Sequence, residues 1–209
     1  MDLILVRHAE PERAEGSDGA PADPGLTARG REQARRLGAW LAGERIDAVL
    51  SSPQRRARET AALVAAAHGL SVEVLDGLAE YDRRADHYVP VEELKATGDP
   101  RWTAMLEGRW EDFGGDPPDE FRARVAATLD SVVARFPGRR VVAVCHGGVV
   151  NAALGNVLGL DALLWFEPAY ASIHRIAASR HGVRSVVSVN ETAHLETAGR
   201  TPPPDEDGR

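Results

Sequence analysis

Two unbroken apolar segments, each closely followed by a histidine, constrain this chain more than any other feature. Residues 3–6 precede Arg7 and His8, and residues 141–145 precede His146. Such segments, which carry several β-branched residues, are typical of strands that are buried on both faces of a parallel sheet. Open α/β sheets bind their ligands where the carboxyl ends of the strands meet. The pattern therefore predicts that His8 and His146 share one site.

Helical patterns lie between the strands. Residues 27–43 carry apolar side chains at helical spacing, with Thr27 as the N-cap and Trp40 on the buried face. A second helix is predicted over residues 53–68, with Ser52 as its cap and Pro53 in its first position. Others are predicted over residues 116–136 and, for a shorter length, after Gly148. Because strands and helices alternate, we expect helices on both faces of a mostly parallel sheet.

The remaining strands are weaker candidates. Residues 48–50 form a short apolar segment, and residues 172–178 and 183–189 read as two late strands joined by a turn around Gly182. The last of these, placed at an edge of the sheet, offers a surface through which two subunits of a homodimer would pair. The length of 209 residues predicts one domain, which we place at residues 1–198.

Three segments fall outside the strand–helix alternation. Residues 11–25 are rich in Pro, Gly, Ala and Asp and predict a long loop, and residues 82–115 predict an irregular, partly helical insertion that acts as a lid. Trp102 and Trp110 are interpreted as the hydrophobic anchor of this insertion. Residues 199–209 contain three consecutive prolines among charges and predict a disordered tail.

Composition excludes several classes of function. The formal net charge is −7, so long-range repulsion makes nucleic acid a poor partner, and any anion site must be built locally. No apolar segment has the length of a membrane span, and no glycine-rich pattern or histidine spacing points to a bound cofactor or metal. The lone Cys145 forms no internal disulfide and is predicted to be a core residue. With an N-terminus that lacks a basic leader, these features predict a cytoplasmic protein.

A cluster of arginines marks a third element of the site. Arg55, Arg56 and Arg58 lie in the first turn and a half of the second predicted helix. Cations are unfavourable at a helix N-terminus, by about 0.3–1 kcal/mol each, unless solvent or an anion compensates them. We expect Arg55 and Arg58 to be exposed. One arginine that points across the strand ends would form a phosphate site, whereas the alternative is a solvated basic face.

Five motifs in order resemble the histidine phosphatase superfamily, which has the phosphoglycerate-mutase-like fold. Together they span nearly all of the chain up to about residue 195. The motifs are, in order, Leu5-Val6-Arg7-His8-Ala9-Glu10, Leu26-Thr27-x-x-Gly30-x-x-Gln33-Ala34, Ser51-Ser52-x-x-x-Arg56-Ala57-x-x-Thr60-Ala61, Leu78-x-Glu80 and Val144-x-His146-Gly147-Gly148. The resemblance implies a three-layer α/β/α sandwich and a phosphatase that forms a phosphohistidine on a small phosphorylated substrate.

The resemblance also implies a role for each matching residue. His8 corresponds to the nucleophile, and Arg7, Arg56 and His146 correspond to the rest of the phosphate pocket. Glu80 corresponds to the proton donor, although Glu10 and Asp82 are competing carboxylates. Two arginines and a histidine would supply the charge that phosphoryl transfer requires, so neither a metal nor a cofactor is expected.

The chain departs from the family pattern after His8. Ala9 replaces the usual glycine, and the Thr and Asn that often follow are replaced in the stretch from Glu10 to Arg13. Asn151, after the second histidine motif, either faces the pocket or is an ordinary helix residue. Two alternatives to hydrolysis stay open: phosphoryl transfer of the phosphoglycerate-mutase type, and a phosphate-binding module without catalysis. We favour hydrolysis because residues 11–25 lack the family's usual polar residues.

Overall fold

The computed structural model describes residues 1–196 of the chain, and the predicted tail at 199–209 lies outside them. Within that range there are eight strands and six α-helices. The strands are β1 Asp2–Arg7, β2 Ala14–Glu15, β3 Ala48–Ser51, β4 Val72–Val74, β5 His87–Tyr88, β6 Arg140–Cys145, β7 Ile173–Ala178 and β8 Arg184–Glu191. The helices are α1 Ala28–Leu41, α2 Arg55–His68, α3 Val91–Thr97, α4 Pro100–Leu106, α5 Pro118–Arg135 and α6 Gly147–Leu158.

Six of the strands form one central sheet in the order β4-β3-β6-β1-β7-β8. The first four are mutually parallel, β7 runs antiparallel to its neighbour β1, and β8 runs antiparallel to β7. The two apolar segments that precede the histidines are therefore adjacent parallel strands at the centre, as predicted. The predicted pairing of subunits through β8 stays a prediction, although β8 does lie at the edge of the sheet.

The central strands are buried on both faces, which explains their unbroken apolar sequence. Alternate residues of β1 contribute to two different cores. Leu3 and Leu5 pack with side chains of α5 and α6, whereas Ile4 and Val6 pack with side chains of α1 and α2. The sheet is thus covered by helices on both sides, which confirms the predicted three-layer α/β/α architecture.

Helix starts and faces differ from the sequence prediction at two points. Thr27 caps α1 as expected, because its side chain accepts a hydrogen bond from the Gly30 N–H. Trp40, however, is 50% exposed instead of buried. Helix α2 begins at Arg55, two residues later than predicted, with Gln54 as its N-cap. Ser52 lies two residues before this cap, and its hydroxyl accepts from the Gln54 N–H at 3.3 Å and lies 2.7 Å from the ring of His146.

The insertion at residues 82–115 contains β5, α3, α4 and a short 3₁₀ helix at Trp110–Phe113. Trp110 is fully buried and packs 4.4 Å from the ring of Tyr81, as expected of an anchor. The predicted loop at residues 11–25 is mostly irregular, but its β2 pairs with β5 of the insertion. The two long connections therefore pack against each other. No helix within residues 1–196 combines the length and the apolarity needed to cross a bilayer.

Candidate active site

The register of the central strands brings the two histidines together. Arg7 of β1 pairs with Cys145 of β6, and the backbone N–H of His8 donates to the Cys145 carbonyl at 2.9 Å. Since both strands end at the same level, the next residues emerge at one edge of the sheet. The ring centroids of His8 and His146 are 5.0 Å apart. The predicted convergence of the two rings is thus observed.

The surroundings of His8 fix its tautomer and its charge. Nδ1 lies 2.8 Å from the Ala9 carbonyl, to which it donates its proton. Nε2 then carries a lone pair, which accepts a hydrogen bond from Nε of Arg56 at 3.3 Å. Burial, with the charges of Arg56 and Arg7, holds the pKa of His8 well below its ordinary value. His8 is therefore a neutral imidazole with an unprotonated nitrogen, which is the form that a nucleophile requires.

The three arginines at the start of α2 differ in burial, and one of them is directed into the site. Arg56 is 1% exposed and reaches the ring of His8, whereas Arg55 and Arg58 are exposed, as expected. Arg7 is 5% exposed, and its guanidinium lies 3.9 Å from the centre of the Tyr170 ring. Two guanidinium groups are therefore buried beside the pair of histidines.

Several nitrogen atoms around His8 have no hydrogen-bond partner within the described part of the chain. They are Nε of Arg7, Nη1 of Arg56 and Nδ1 of His146, and all three are buried. Unpartnered buried donors are costly, at about 1–3 kcal/mol each, and so call for an explanation. A bound oxyanion would satisfy the two guanidinium N–H groups, and it would also satisfy His146 in the tautomer that carries its proton on Nδ1, in which Nε2 accepts from the Ser52 hydroxyl.

His146 differs from the sequence expectation in charge. Burial lowers its pKa well below the ordinary value, and the charge of Arg56 acts in the same direction. This ring therefore contributes a neutral hydrogen bond, and the positive charge of the site comes from the two arginines. Residues 1–196 contain no group of three or more His, Cys, Asp or Glu side chains arranged to hold a metal ion.

Glu80 lies at the N-terminus of α6, directly beside this group. Its carboxylate accepts hydrogen bonds from the backbone N–H of Gly148 at 2.8 Å and of Tyr81 at 3.2 Å. A Cβ at position 148 would lie 2.4 Å from a carboxylate oxygen, which explains the glycine there. Burial, reinforced by the charge of Asp82, raises the pKa of Glu80 to about 7. The group is thus able to give and take a proton near neutral pH.

The two competing carboxylates have other partners. Asp82 forms an ion pair with Arg56 at 3.0 Å, and Glu10 binds the hydroxyl of Thr27 at the start of α1. Glu92 of α3 binds Nη1 of Arg7 at 2.6 Å. The same Glu92 accepts a hydrogen bond from the Tyr170 hydroxyl at 2.5 Å. Both buried arginines are therefore held by carboxylates of the insertion.

Sequence reasoning missed Gln54, Glu92 and Tyr170 as parts of this site. Gln54 accepts from the backbone N–H of Glu80 at 2.7 Å and donates to the Asp82 carboxylate at 2.9 Å, so it links the backbone of Glu80 to Asp82. No local signal singles out these residues. Gln54 does stand inside the motif that contains Arg56, and this adjacency was the one available hint.

Two other side chains are now placed. Asn151 is buried in α6 and is also part of the cavity wall. Its side chain binds the backbone of Trp165 and Phe166. Cys145 is fully buried, as expected, and burial raises the pKa of its thiol well above the ordinary value. A thiolate nucleophile at this position is thereby disfavoured.

Comparison with known proteins gives a consistent result. Residues 3–192 match the profile of the histidine phosphatase superfamily (branch 1). Phosphoserine phosphatase 1 of Hydrogenobacter thermophilus is 32% identical over 203 residues, which cover 93% of this chain and 94% of that protein. A probable phosphoglycerate mutase, GpmB of Salmonella paratyphi A, is 29% identical over 171 residues, which cover 80% of this chain and 78% of that protein.

Solved structures show the same fold. A mutant phosphoserine phosphatase from Entamoeba histolytica, in complex with phosphoserine, superimposes with a TM-score of 0.74 at 25% identity and covers 93% of this chain and 99% of its own. YhfR of Bacillus stearothermophilus superimposes with a TM-score of 0.76 at 22% identity, with coverage of 93% and 99%. From the profile match and these relatives, the chain belongs to the histidine phosphatase superfamily, as a phosphoric monoester hydrolase.

Proposed function

We propose that this enzyme hydrolyses a small phosphomonoester in two steps, through a phosphohistidine at His8 and without a metal ion. The observation that carries the proposal is the set of three buried, unpartnered nitrogens on Arg7, Arg56 and His146, all beside the unprotonated Nε2 of His8. Phosphoryl transfer depends mainly on charge positioned around the equatorial oxygens, which the two arginines supply, and His146 adds a neutral hydrogen bond.

In the first step, Nε2 of His8 attacks phosphorus. An N–P bond forms, and the bond between phosphorus and the ester oxygen breaks in line with it. The protonated carboxyl of Glu80 gives its proton to the departing alkoxide, which leaves as an alcohol. A pKa of about 7 makes this donor both available and sufficiently acidic near neutral pH.

In the second step, water attacks the phosphohistidine. The ionised Glu80 takes a proton from the water, an O–P bond forms and the N–P bond breaks. Inorganic phosphate is released, and His8 and Glu80 return to their original protonation states. The same carboxyl thus serves as acid and then as base.

Mutase-type transfer would use the same first step but would return the phosphoryl group to the alcohol. The loop at residues 11–25, which lacks polar side chains of the usual kind beside the phosphate, favours hydrolysis. The lone and buried Cys145 supports a reducing compartment, and we infer a cytoplasmic setting. We also infer that residues 1–198 act as one domain with the insertion as its lid.

The test is trapping of the intermediate. The enzyme is mixed with p-nitrophenyl phosphate in EDTA and quenched within the first turnover. Mass spectrometry of the digest is then expected to show one phosphoryl group on the peptide that contains His8. The His8→Ala variant should lose both the adduct and the release of phosphate, whereas His181→Ala, which changes an exposed histidine, should keep both.

Three outcomes contradict parts of the proposal. Turnover by His8→Ala near the parent rate would remove His8 as the nucleophile. Complete loss of activity in EDTA would contradict metal independence. With a phosphoglycerate as substrate, accumulation of an isomerised ester in place of inorganic phosphate would favour the mutase reaction.

A further inference from the structure

The reacting groups lie at the inner end of a cavity of about 230 Å³. Arg7, His8, Arg56 and Glu80 form its inner end, and the insertion forms much of its outer wall. Most of that outer wall is apolar. Its large apolar side chains include Val91, Leu94, Trp102, Leu106, Trp165 and Phe166. Leu106 lies at the border of the cavity and is 55% exposed to solvent.

Charged groups in the outer wall are already paired. Lys95 of α3 forms an ion pair with Glu167, and both oxygens of Glu92 are used by Arg7 and Tyr170. A second anionic group on the substrate would have to displace Glu167 from Lys95, and because both side chains are more than half exposed, the new ion pair would add little to binding. Buried without a partner, a carboxylate is strongly unfavourable.

The other cations of the insertion are paired as well. The sequence left open that these arginines recognise a second anionic group on the substrate. In the structure, Arg101 pairs with Asp99, and Arg109 pairs with Glu107. Arg83 and Arg84 both pair with the buried Asp116. None of these four arginines lines the cavity, so within the described residues Lys95 is the one cation of the insertion that a substrate in the cavity would meet.

Part of the apolar wall is fixed in advance. The side-chain oxygen of Asn151 accepts hydrogen bonds from the backbone N–H groups of Trp165 at 3.0 Å and Phe166 at 3.2 Å. The indole N–H of Trp165 donates to the Asn151 carbonyl at 3.1 Å. The backbone N–H groups of Trp165 and Phe166 and the indole N–H of Trp165 are thereby hydrogen-bonded, and the two aromatic rings stay available for apolar contact.

We infer that the alcohol portion of the substrate is apolar, an alkyl or aromatic group that carries no carboxylate. This inference rests on the proposed function and narrows it. It sets this chain apart from the phosphoserine phosphatases among its relatives, because phosphoserine carries both an ammonium and a carboxylate group. Contact with the apolar wall would stabilise bound substrate and transition state alike, which raises kcat/KM.

The test compares ethyl, butyl and hexyl phosphate with phosphoserine as substrates. The three alkyl esters have nearly the same leaving group, so their kcat/KM values report contact with the wall. Each fully buried methylene should raise kcat/KM roughly fourfold, which gives about 250-fold for the four methylenes that separate ethyl from hexyl phosphate. Hexyl phosphate should exceed phosphoserine even though serine is the better leaving group.

Two variants localise the effect. Leu106→Ser, at the exposed border of the cavity, should lower the hexyl-to-ethyl ratio of kcat/KM at least threefold. Val187→Ser, which changes an exposed residue of the edge strand β8, should leave that ratio as it is. A ratio that Leu106→Ser does not change would overturn the assignment of the wall.

Binding of the inert ethyl and hexyl phosphonates separates this inference from the proposed function. Tighter binding of the hexyl compound, without hydrolysis of any ester, would contradict the proposed function and leave the apolar site standing. Hydrolysis that is independent of chain length, or fastest with phosphoserine, would overturn the inference and leave the proposed function standing.

Discussion

Replacement of Glu80 by glutamine tests the proposed proton donor most directly. Glutamine keeps the size of the side chain and one acceptor oxygen for the Gly148 N–H, but it has no proton to give to an alkoxide. Loss of a general acid costs about 10²–10⁴-fold in rate when the leaving group is poor. We expect a loss of this size in kcat/KM for ethyl phosphate. The loss should be much smaller for p-nitrophenyl phosphate, since p-nitrophenolate departs without a proton.

The pKa of Glu80 adds a pH dependence to this comparison. With a pKa of about 7, roughly nine-tenths of the carboxyl groups are protonated at pH 6 and roughly one-tenth at pH 8. In the parent enzyme, kcat/KM for ethyl phosphate divided by that for p-nitrophenyl phosphate should therefore fall about tenfold over this range. The Glu80→Gln variant should show a flat ratio.

The assay measures initial rates of phosphate release from both esters between pH 5.5 and pH 8.5. Using the ratio removes most of the contribution from ionisation of the phosphate group itself, which both substrates share. Asp82→Asn provides a second readout. The charge of Asp82 helps to raise the pKa of Glu80, so its removal should move the fall in the ratio to lower pH.

Equal losses on both esters in Glu80→Gln would refute the assignment, because a positioning role does not distinguish leaving groups. If the ratio of kcat/KM for ethyl phosphate to that for p-nitrophenyl phosphate stays constant from pH 6 to pH 8 in the parent enzyme, burial does not raise the pKa of Glu80 to about 7. A shift to higher pH in Asp82→Asn would contradict the sign of the coupling between the two carboxylates.

Three further predictions concern the contacts around this site. Glu92→Gln removes a charge that competes with phosphate for Arg7, so KM for p-nitrophenyl phosphate should fall roughly tenfold, the size expected when a charged hydrogen bond is released. A rise in KM would mean that Glu92 instead orients Arg7. Gly148→Ala places a Cβ 2.4 Å from a Glu80 oxygen, so turnover of ethyl phosphate should fall while circular dichroism shows a folded protein. Turnover at the parent enzyme's rate would mean that the Glu80 side chain can shift without loss of function. Burial raises the pKa of Glu80 from 4.5 to about 7, so its stabilising protonated form is fully present below pH 4.5 and lost as the pH rises through 7. Between pH 5 and pH 8 the parent should therefore lose about 2–3 kcal/mol more unfolding free energy in urea than Glu80→Gln does, and parallel profiles would refute this.

Much of the framework was predictable from the sequence because it is encoded locally. Unbroken β-branched segments predict strands that are buried on both faces, and β1 and β6 are such strands. The spacing around Thr27 predicted α1 and its cap correctly. Because the carboxyl ends of parallel strands meet at one edge, the meeting of His8 and His146 followed from the pattern alone.

Finer features depended on contacts between distant segments. The sequence offered three arginines in α2 and three candidate carboxylates, with the resemblance alone favouring Arg56 and Glu80 among them. Packing buried Arg56 and left Arg55 and Arg58 exposed. It also set Glu80 against the N-terminus of α6, where burial changes its pKa.

What the sequence determined by itself is therefore the alternation of β1, β3 and β6 with the helices α1, α2, α5 and α6, together with the histidine pair and the family. Only the tertiary structure decided which carboxylates hold the arginines, which nitrogens stay unpartnered and how apolar the outer cavity is. The physical reason is that periodicity and caps act within one helix or strand. Charge pairing, burial and the pKa values that depend on them arise only where the insertion folds back over the ends of the strands.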